Sequence, residues 1–296
     1  MGKHSSDEAN SFHSTTRNES ANASNVGAGL TPALDPFSNL DSSTAMPAPM
    51  LNPNPTPTKS ALGPFLDGLN QLGLKLNEQQ LDQFLQYRRE LLDWNTRINL
   101  TAISDPDEVL TKHFLDCLSL LMANDASIAN VLDIGAGAGF PGFPLKIVHP
   151  PWHVVLLEAT GKKVKFLQHI IETLQLHNVE AVHARAEELA HKVEYRASFD
   201  LVTARAVASL PILLEYAAPF TRLGGIMIFP KKGDLIEELA GGKRAAKQLG
   251  SRFKADMQVT LPGLDGGRRL LVWEQVRNCP EQYPRSGGVI AKKPLG

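Results

Sequence analysis

The stretch Val131-Leu132-Asp133-Ile134-Gly135-Ala136-Gly137-Ala138-Gly139-Phe140-Pro141-Gly142 constrains the fold more than any other part of the chain. Three apolar residues and one Asp read as a buried strand. A glycine-rich turn follows, and then a helix from Phe143 to His149. Glycine is used where a backbone takes positive φ or passes close to a ligand. A strand, a glycine turn and a helix N-terminus bring backbone N–H groups around one small site. In an open parallel sheet that site lies in the crevice at the carboxyl ends of the strands.

Two cofactors fit the loop. Gly137-x-Gly139-x-x-Gly142 matches the dinucleotide pattern, and Glu158 follows at roughly the spacing of a ribose-binding acid. Framed instead as Asp133-x-Gly135-x-Gly137-x-Gly139, the loop has the form typical of S-adenosylmethionine methyltransferases, where it wraps the methionine and ribose ends of the cofactor. Both cofactors carry a ribose diol, so Glu158 suits either. A glycine turn that only packs strand on helix is the plain structural alternative.

The rest of the chain narrows the choice. Met1 to Ser60 is rich in Ser, Asn, Thr, Ala and Pro and has no periodic apolar pattern. Such a segment cannot bury enough surface to offset its ordering entropy, and a disordered tail is expected over 1–60. Its acids Asp7, Glu8, Glu19, Asp35 and Asp41 outnumber Lys3, Arg17 and Lys59, which argues against an organelle transit peptide. No apolar run is long enough to span a bilayer, and the N-terminus lacks a signal-peptide core. The only cysteines, Cys117 and Cys279, form no metal motif or disulfide framework, so no metal is expected and a reducing cytoplasm suits the chain. A net charge of −1 gives no global basic footprint.

From 61 to 125 the pattern predicts a small helical cap. A short helix over Ala61–Leu72 is interrupted at Gly63-Pro64. Asn77 with Gln80 marks a capping start, and Leu81, Phe84, Leu85, Leu91 and Leu92 follow helical spacing. Asp105-Pro106 opens a further helix with the stripe Val109, Leu110, Phe114, Cys117, Leu118 and Leu121. From 126 to 280 strands and helices alternate, which predicts a parallel sheet with helices on both faces. The strands fall at Val131–Ile134, Val154–Leu157, Val179–His183, Phe199–Thr203 and Ile226–Phe229, the last after a Gly224-Gly225 turn. Gln258–Leu261 and Arg269–Val276 read as a closing hairpin. Five such units and a hairpin suit a seven-stranded methyltransferase sheet. A dehydrogenase would need a separate substrate domain, for which too little chain remains after Gly233. Residues 281–296 read as a basic tail.

Several ordered motifs then match together. They are Asp93-Trp94-Asn95-x-x-Ile98-Asn99-Leu100-Thr101-Ala102-Ile103, His113-Phe114-x-Asp116-x-Leu118, the glycine loop through Lys146, and Gly161-Lys162-Lys163-Val164-x-Phe166-Leu167. Arg185-Ala186-Glu187-Glu188, Thr203-Ala204-Arg205-Ala206-Val207-Ala208, Lys232-Gly233 and Tyr283-Pro284-Arg285 complete the set. From about Leu81 to Leu295 the chain resembles the RsmG (GidB) family of small-subunit ribosomal RNA guanine-N7 methyltransferases. The departures are Glu158 where that family usually has Asp, a slightly altered Pro230-Lys231-Lys232 before Gly233, and Ser286 and Ile290 in place of an Arg and a Pro of the tail.

The resemblance implies a Rossmann-like, class I S-adenosylmethionine-dependent fold acting on 16S rRNA in the small ribosomal subunit; the sequence reveals no dimer surface, so a monomer is the default expectation. It implies cofactor contacts from Gly135, Phe140, Ala186, Glu187 and Arg205; the loop pattern adds Asp133, Gly137 and Glu158. Guanine N7 already has a free lone pair, so alignment rather than a general base is expected to drive the reaction. Arg205, Lys232 and His113 are the candidates for the reacting end, with Asn99 and Asp116 at the cleft rim. Lys146, Lys162, Lys163, Lys165, Arg185, Arg268, Arg269, Arg285, Lys292 and Lys293 are candidate phosphate contacts. The alternatives are a methyltransferase of a small molecule, a nicotinamide-dependent oxidoreductase, and a non-catalytic RNA-binding assembly factor.

Overall fold

The computed structural model describes residues 59–123, 127–205, 207–264 and 266–296. The expected tail over 1–60 lies outside them, apart from its last two residues. Seven strands form one sheet in the order β3-β2-β1-β4-β5-β7-β6. They are β1 (Asn130–Ile134), β2 (His153–Glu158), β3 (Val179–His183), β4 (Phe199–Thr203), β5 (Thr221–Lys232), β6 (Ser251–Val259) and β7 (Arg268–Gln275). β1 to β5 pair in parallel, and β7 runs antiparallel between β5 and β6. The chain order reverses between β1 and β4, which opens a crevice above their carboxyl ends.

Both faces of the sheet are covered because inward residues alternate. On one face Val131, Ile226, Ile228, Leu270 and Val272 join a core with α1 (Lys59–Gln71), α2 (Glu78–Asn95), α5 (Gly142–Val148) and α6 (Gly161–Thr173). On the other, Leu132, Ile134, Met227, Phe229, Leu271 and Trp273 pack with α7 (Ala186–Leu189), α8 (Leu210–Ala217) and α9 (Ile236–Leu249). The N-terminal helices thus complete one face of the sheet. α2 starts with the expected capping box, in which the Asn77 side chain accepts from Gln80 N and the Gln80 side chain accepts from Asn77 N. No helix among the described residues is long and apolar enough to cross a membrane.

Four boundaries differ from expectation. α1 is continuous through Pro64 rather than interrupted at Gly63-Pro64. β5 runs from Thr221 to Lys232, well beyond Ile226–Phe229; Gly224 and Gly225 lie inside it at a register shift and make no turn. β6 begins at Ser251, directly after the left-handed cap Gly250, and ends at Val259. Its register shift between Phe253 and Ala255 breaks the alternation by which a strand is read. Finally, the helix opened by Asp105-Pro106 is composite. α3 (Pro106–Glu108) passes into a π-helical segment, Val109–Leu115, then α4 (Asp116–Leu118) and a 3-10 turn, Ser119–Ala123. π turns insert one extra residue per turn and are frequent at functional sites.

The last part of the chain is strapped to the second face. Arg196 donates to the carbonyl oxygens of Cys279, Pro280 and Tyr283 at 2.9–3.1 Å. Arg285 forms a two-pronged pair with the fully buried Glu215, at 2.6 and 2.7 Å, and the short α10 (Gly287–Lys292) follows.

Candidate active site

Two groups of residues meet at the carboxyl edge of the sheet. The first surrounds the glycine loop. Gly135, Gly137 and Gly139 have φ of +68°, +60° and +89°, so the loop needs glycine for its path. A Cβ at Gly139 would collide with the Phe143 ring, whereas one at Gly137 would meet only Gly135 O, at 3.8 Å. The loop is anchored from below. Gly135 and Ala136 donate to Leu157 O, and the Tyr87 hydroxyl donates to Ala138 O. Asp133 is fully buried beneath the loop and accepts from Gly142 N at 2.9 Å. Its other oxygen has no partner, and burial pushes the carboxyl up to about 7. Asp133 therefore shapes the loop from beneath. Glu158 bridges the neighbouring turns, accepting from Gly137 N at 2.9 Å and Thr160 N at 2.8 Å. Each of its oxygens keeps acceptor capacity for a further donor. Ala186 and Glu187 are the first residues of α7, where helix N–H groups have no partner within the helix.

The second group lines a cavity of about 470 Å³ beyond the ends of β4 and β5. Its lining includes His113, Asp116, Arg205, Lys232 and Arg268, with Ile103, Pro230 and Leu264 as apolar walls. Arg205 donates to Asp116 Oδ2 at 3.2 Å and to His113 Nδ1 at 3.0 Å. Its guanidinium lies 4.8 Å from the centroid of the Phe140 ring, and His113 stacks on the same ring at 4.5 Å. Arg268 grips Asp116 with two nitrogens, at 2.6 and 2.9 Å. Phe140 links the two groups, since its ring packs against His113 and Arg205, which line the cavity. It belongs to the glycine loop by sequence and to the cavity by packing. Its side chain is buried.

His113 is held neutral. Arginine only donates, so Nδ1 accepts, and Nε2 carries the proton toward Thr101 Oγ1 at 2.6 Å. Burial, and then the Arg205 charge, lower its pKa from 6.5 to about 3. In the unfolded chain His113 gains a proton below about pH 6.5, while in the folded chain it stays neutral down to about pH 3. Its contribution to stability is therefore complete above that window and is lost as pH falls through it. At pH 5 the loss is about 2 kcal/mol. His113→Gln, which does not titrate, is expected to show a correspondingly flatter fall in denaturation free energy between pH 7 and pH 5 than the natural chain. Equal slopes would contradict the assignment.

The residues singled out in the sequence lie in two groups at the sheet edge, with exceptions. Arg205, Lys232 and His113 line the cavity, as does Asp116; Asn99 is exposed and outside the lining. Thr101 was part of a motif without a role; its position is set by Asn95, whose side chain accepts from Leu100 N and Thr101 N and donates to Thr101 O. Among the candidate phosphate contacts, Lys146 is corrected. It is buried, and its ammonium donates to Pro150 O and Trp152 O at 2.7 and 2.5 Å, beyond the C-terminal end of α5. Arg285 is likewise committed to Glu215, and Arg269 to Asp256. Arg268 turns into the cavity, while Lys162, Lys165, Arg185, Lys292 and Lys293 are exposed.

A family model described as GidB, rRNA small subunit methyltransferase G, matches residues 80–261. This chain belongs to that family. A ribosomal RNA small subunit methyltransferase G from Dehalococcoides mccartyi is 48% identical over 228 residues, covering 77% of this chain and 97% of that protein. Its counterpart from Roseiflexus castenholzii is 44% identical over 223 residues, covering 75% and 95%. The sheet order and the glycine loop agree with the class I methyltransferase fold, and the family match gives no support to the nicotinamide or small-molecule alternatives.

Proposed function

We propose that the enzyme transfers the methyl group of S-adenosylmethionine to N7 of a guanine in 16S rRNA, with the cofactor against the glycine loop and the guanosine in the Asp116 cavity. The observation that carries this division is Phe140, whose backbone belongs to the first site and whose buried ring packs against His113 and Arg205, two residues that line the second.

The first site fits the cofactor. Gly137 has an open side, Glu158 has acceptor capacity left for a ribose diol, and Ala186 and Glu187 offer helix N-terminal N–H groups for an adenine edge. When bound, S-adenosylmethionine supplies an electrophilic methyl on a sulfonium. Guanine N7 needs no deprotonation, so the protein's work is to hold and orient. The state of His113 agrees with this: both its nitrogens are engaged and it is not poised as a base. Ile103, Pro230 and Leu264 suit the faces of a base, and Arg205 and Lys232 suit its O6 or a phosphate. Reaching N7 requires a guanine that is unpaired or turned out of its stack. The absence of a disulfide between Cys117 and Cys279 suits a cytoplasmic enzyme, and we read it as a monomer built of cap, sheet domain and tail.

The test is methyl transfer from labelled S-adenosylmethionine to small ribosomal subunits from cells lacking this enzyme. The expected product is 7-methylguanosine in 16S rRNA. Bound cofactor without labelled rRNA would move the assignment to a non-catalytic assembly factor.

A further inference from the structure

Among the described residues, Asp116 is the only acid that lines the cavity. We infer that Asp116 is a positioning residue, a buried counter-charge that fixes Arg205 and Arg268 side by side as the floor of the nucleotide site. The inference rests on the cavity being that site.

Four observations support it. Asp116 is only 1% exposed, so its carboxylate is not the surface that meets substrate. It accepts three hydrogen bonds from two guanidiniums that come from separate elements, Arg205 after β4 and Arg268 at the start of β7. Two cations held on one side chain repel each other, and the carboxylate between them offsets that repulsion. Of the other acids nearby, Glu108 pairs with Lys112 at 2.5 Å and Glu238 with Lys231 at 2.6 Å, while Asp133 acts on Arg205 through its charge without a hydrogen bond, and burial pushes its carboxyl up to about 7. Asp116 is therefore the acid that hydrogen-bonds both guanidiniums of the floor. Finally, the π-helical segment sets its position, since Asp116 N donates to Thr111 O, five residues back, as well as to His113 O. His113 and Asp116 then engage the same guanidinium from one stretch of helix.

The chemistry gives this counter-charge a purpose. Methylation at N7 leaves a positive charge on the guanine ring. A floor of two arginines without Asp116 would oppose it and would splay apart. Asp116 thus acts through its arginines on the nucleotide, not on the cofactor.

A double-variant cycle tests this. Asp116→Asn, Arg268→Gln and the pair are compared with the natural chain by kcat/KM for small subunits, KM for S-adenosylmethionine, and melting temperature. Asp116→Asn is expected to lower kcat/KM for subunits about thirty-fold, with KM for the cofactor within about two-fold. In the Arg268→Gln background the same change is expected to cost less than about five-fold, because its partner is already gone. Losses that simply multiply, or a cofactor KM that rises alongside, would overturn the clamp and leave the cavity assignment standing. An Arg268→Gln variant as active as the natural chain would remove the cavity assignment, and the clamp with it. If Asp116→Asn does not fold, Asp116→Glu, which keeps the charge one methylene away, enters the same cycle with the same non-additivity expected.

Discussion

Replacing Arg205 with glutamine is expected to lower kcat/KM for the ribosomal substrate about a hundred-fold or more, and to lower the melting temperature as well. Arg205 makes three contacts with three different partners: Asp116, His113 and the face of Phe140. Its loss leaves His113 Nδ1 without its donor, in a ring whose burial already disfavours protonation. It also leaves Asp116 with Arg268 alone. Breaking a buried pair costs about 3–5 kcal/mol when one charge is stranded, and the remaining Arg268 places this case at the lower end. Since 1.4 kcal/mol is a factor of ten, about 3 kcal/mol corresponds to about a hundred-fold if the loss falls on the nucleotide site. Lysine is expected to fare little better. A single ammonium cannot form the planar fork that serves Asp116 and His113 together. Single-turnover methylation of small subunits separates this effect from product release. A glutamine variant within about three-fold of the natural rate would mean that Arg205 only packs Phe140.

The βα frame was legible because its signals are local. The Asn77–Gln80 box, the Val131–Gly142 loop and the apolar runs at Val154–Leu157 and Phe199–Thr203 each state their structure within a few residues. Glu158 could be placed because the end of a second strand is a topological position. The grouping of the site was less legible. His113 and Asp116 fall on one helical face by spacing, and both reach Arg205, but the segment between them is π-helical and no residue in Val109–Leu115 announces that. Arg268 and Arg269 are adjacent and chemically alike. The antiparallel register places one in the cavity and the other against Asp256 on β6, and that register depends on a hairpin whose first strand is bulged. Lys146 was misjudged for a related reason. An isolated lysine reads as surface, while this one is buried where the turn after α5 presents two carbonyl oxygens.

Glu158→Gln tests the cofactor half of the site with an isosteric change, and it is expected to weaken S-adenosylmethionine binding about thirty-fold. Both Glu158 oxygens accept from backbone N–H groups, one on Gly137 and one on Thr160. An amide has only one accepting oxygen, so its NH₂ must face one of those donors. The glycine loop or the turn after β2 then loses its tether, and the acceptor capacity left for a ribose diol falls at the same time. A lost charge-assisted hydrogen bond with one unsatisfied donor is worth about 2 kcal/mol, which sets the thirty-fold figure. Glu158→Asp keeps two accepting oxygens one methylene short and is expected to lose less, about five-fold. Calorimetric titration of the cofactor reads the effect directly, and affinity for the RNA is expected to stay within about two-fold in both variants, because Glu158 is not among the residues that line the cavity. Cofactor affinity unchanged by Gln would detach Glu158 from the ribose and leave it as a tie between two turns. A parallel loss of RNA affinity would instead mean that the two halves of the crevice are one site.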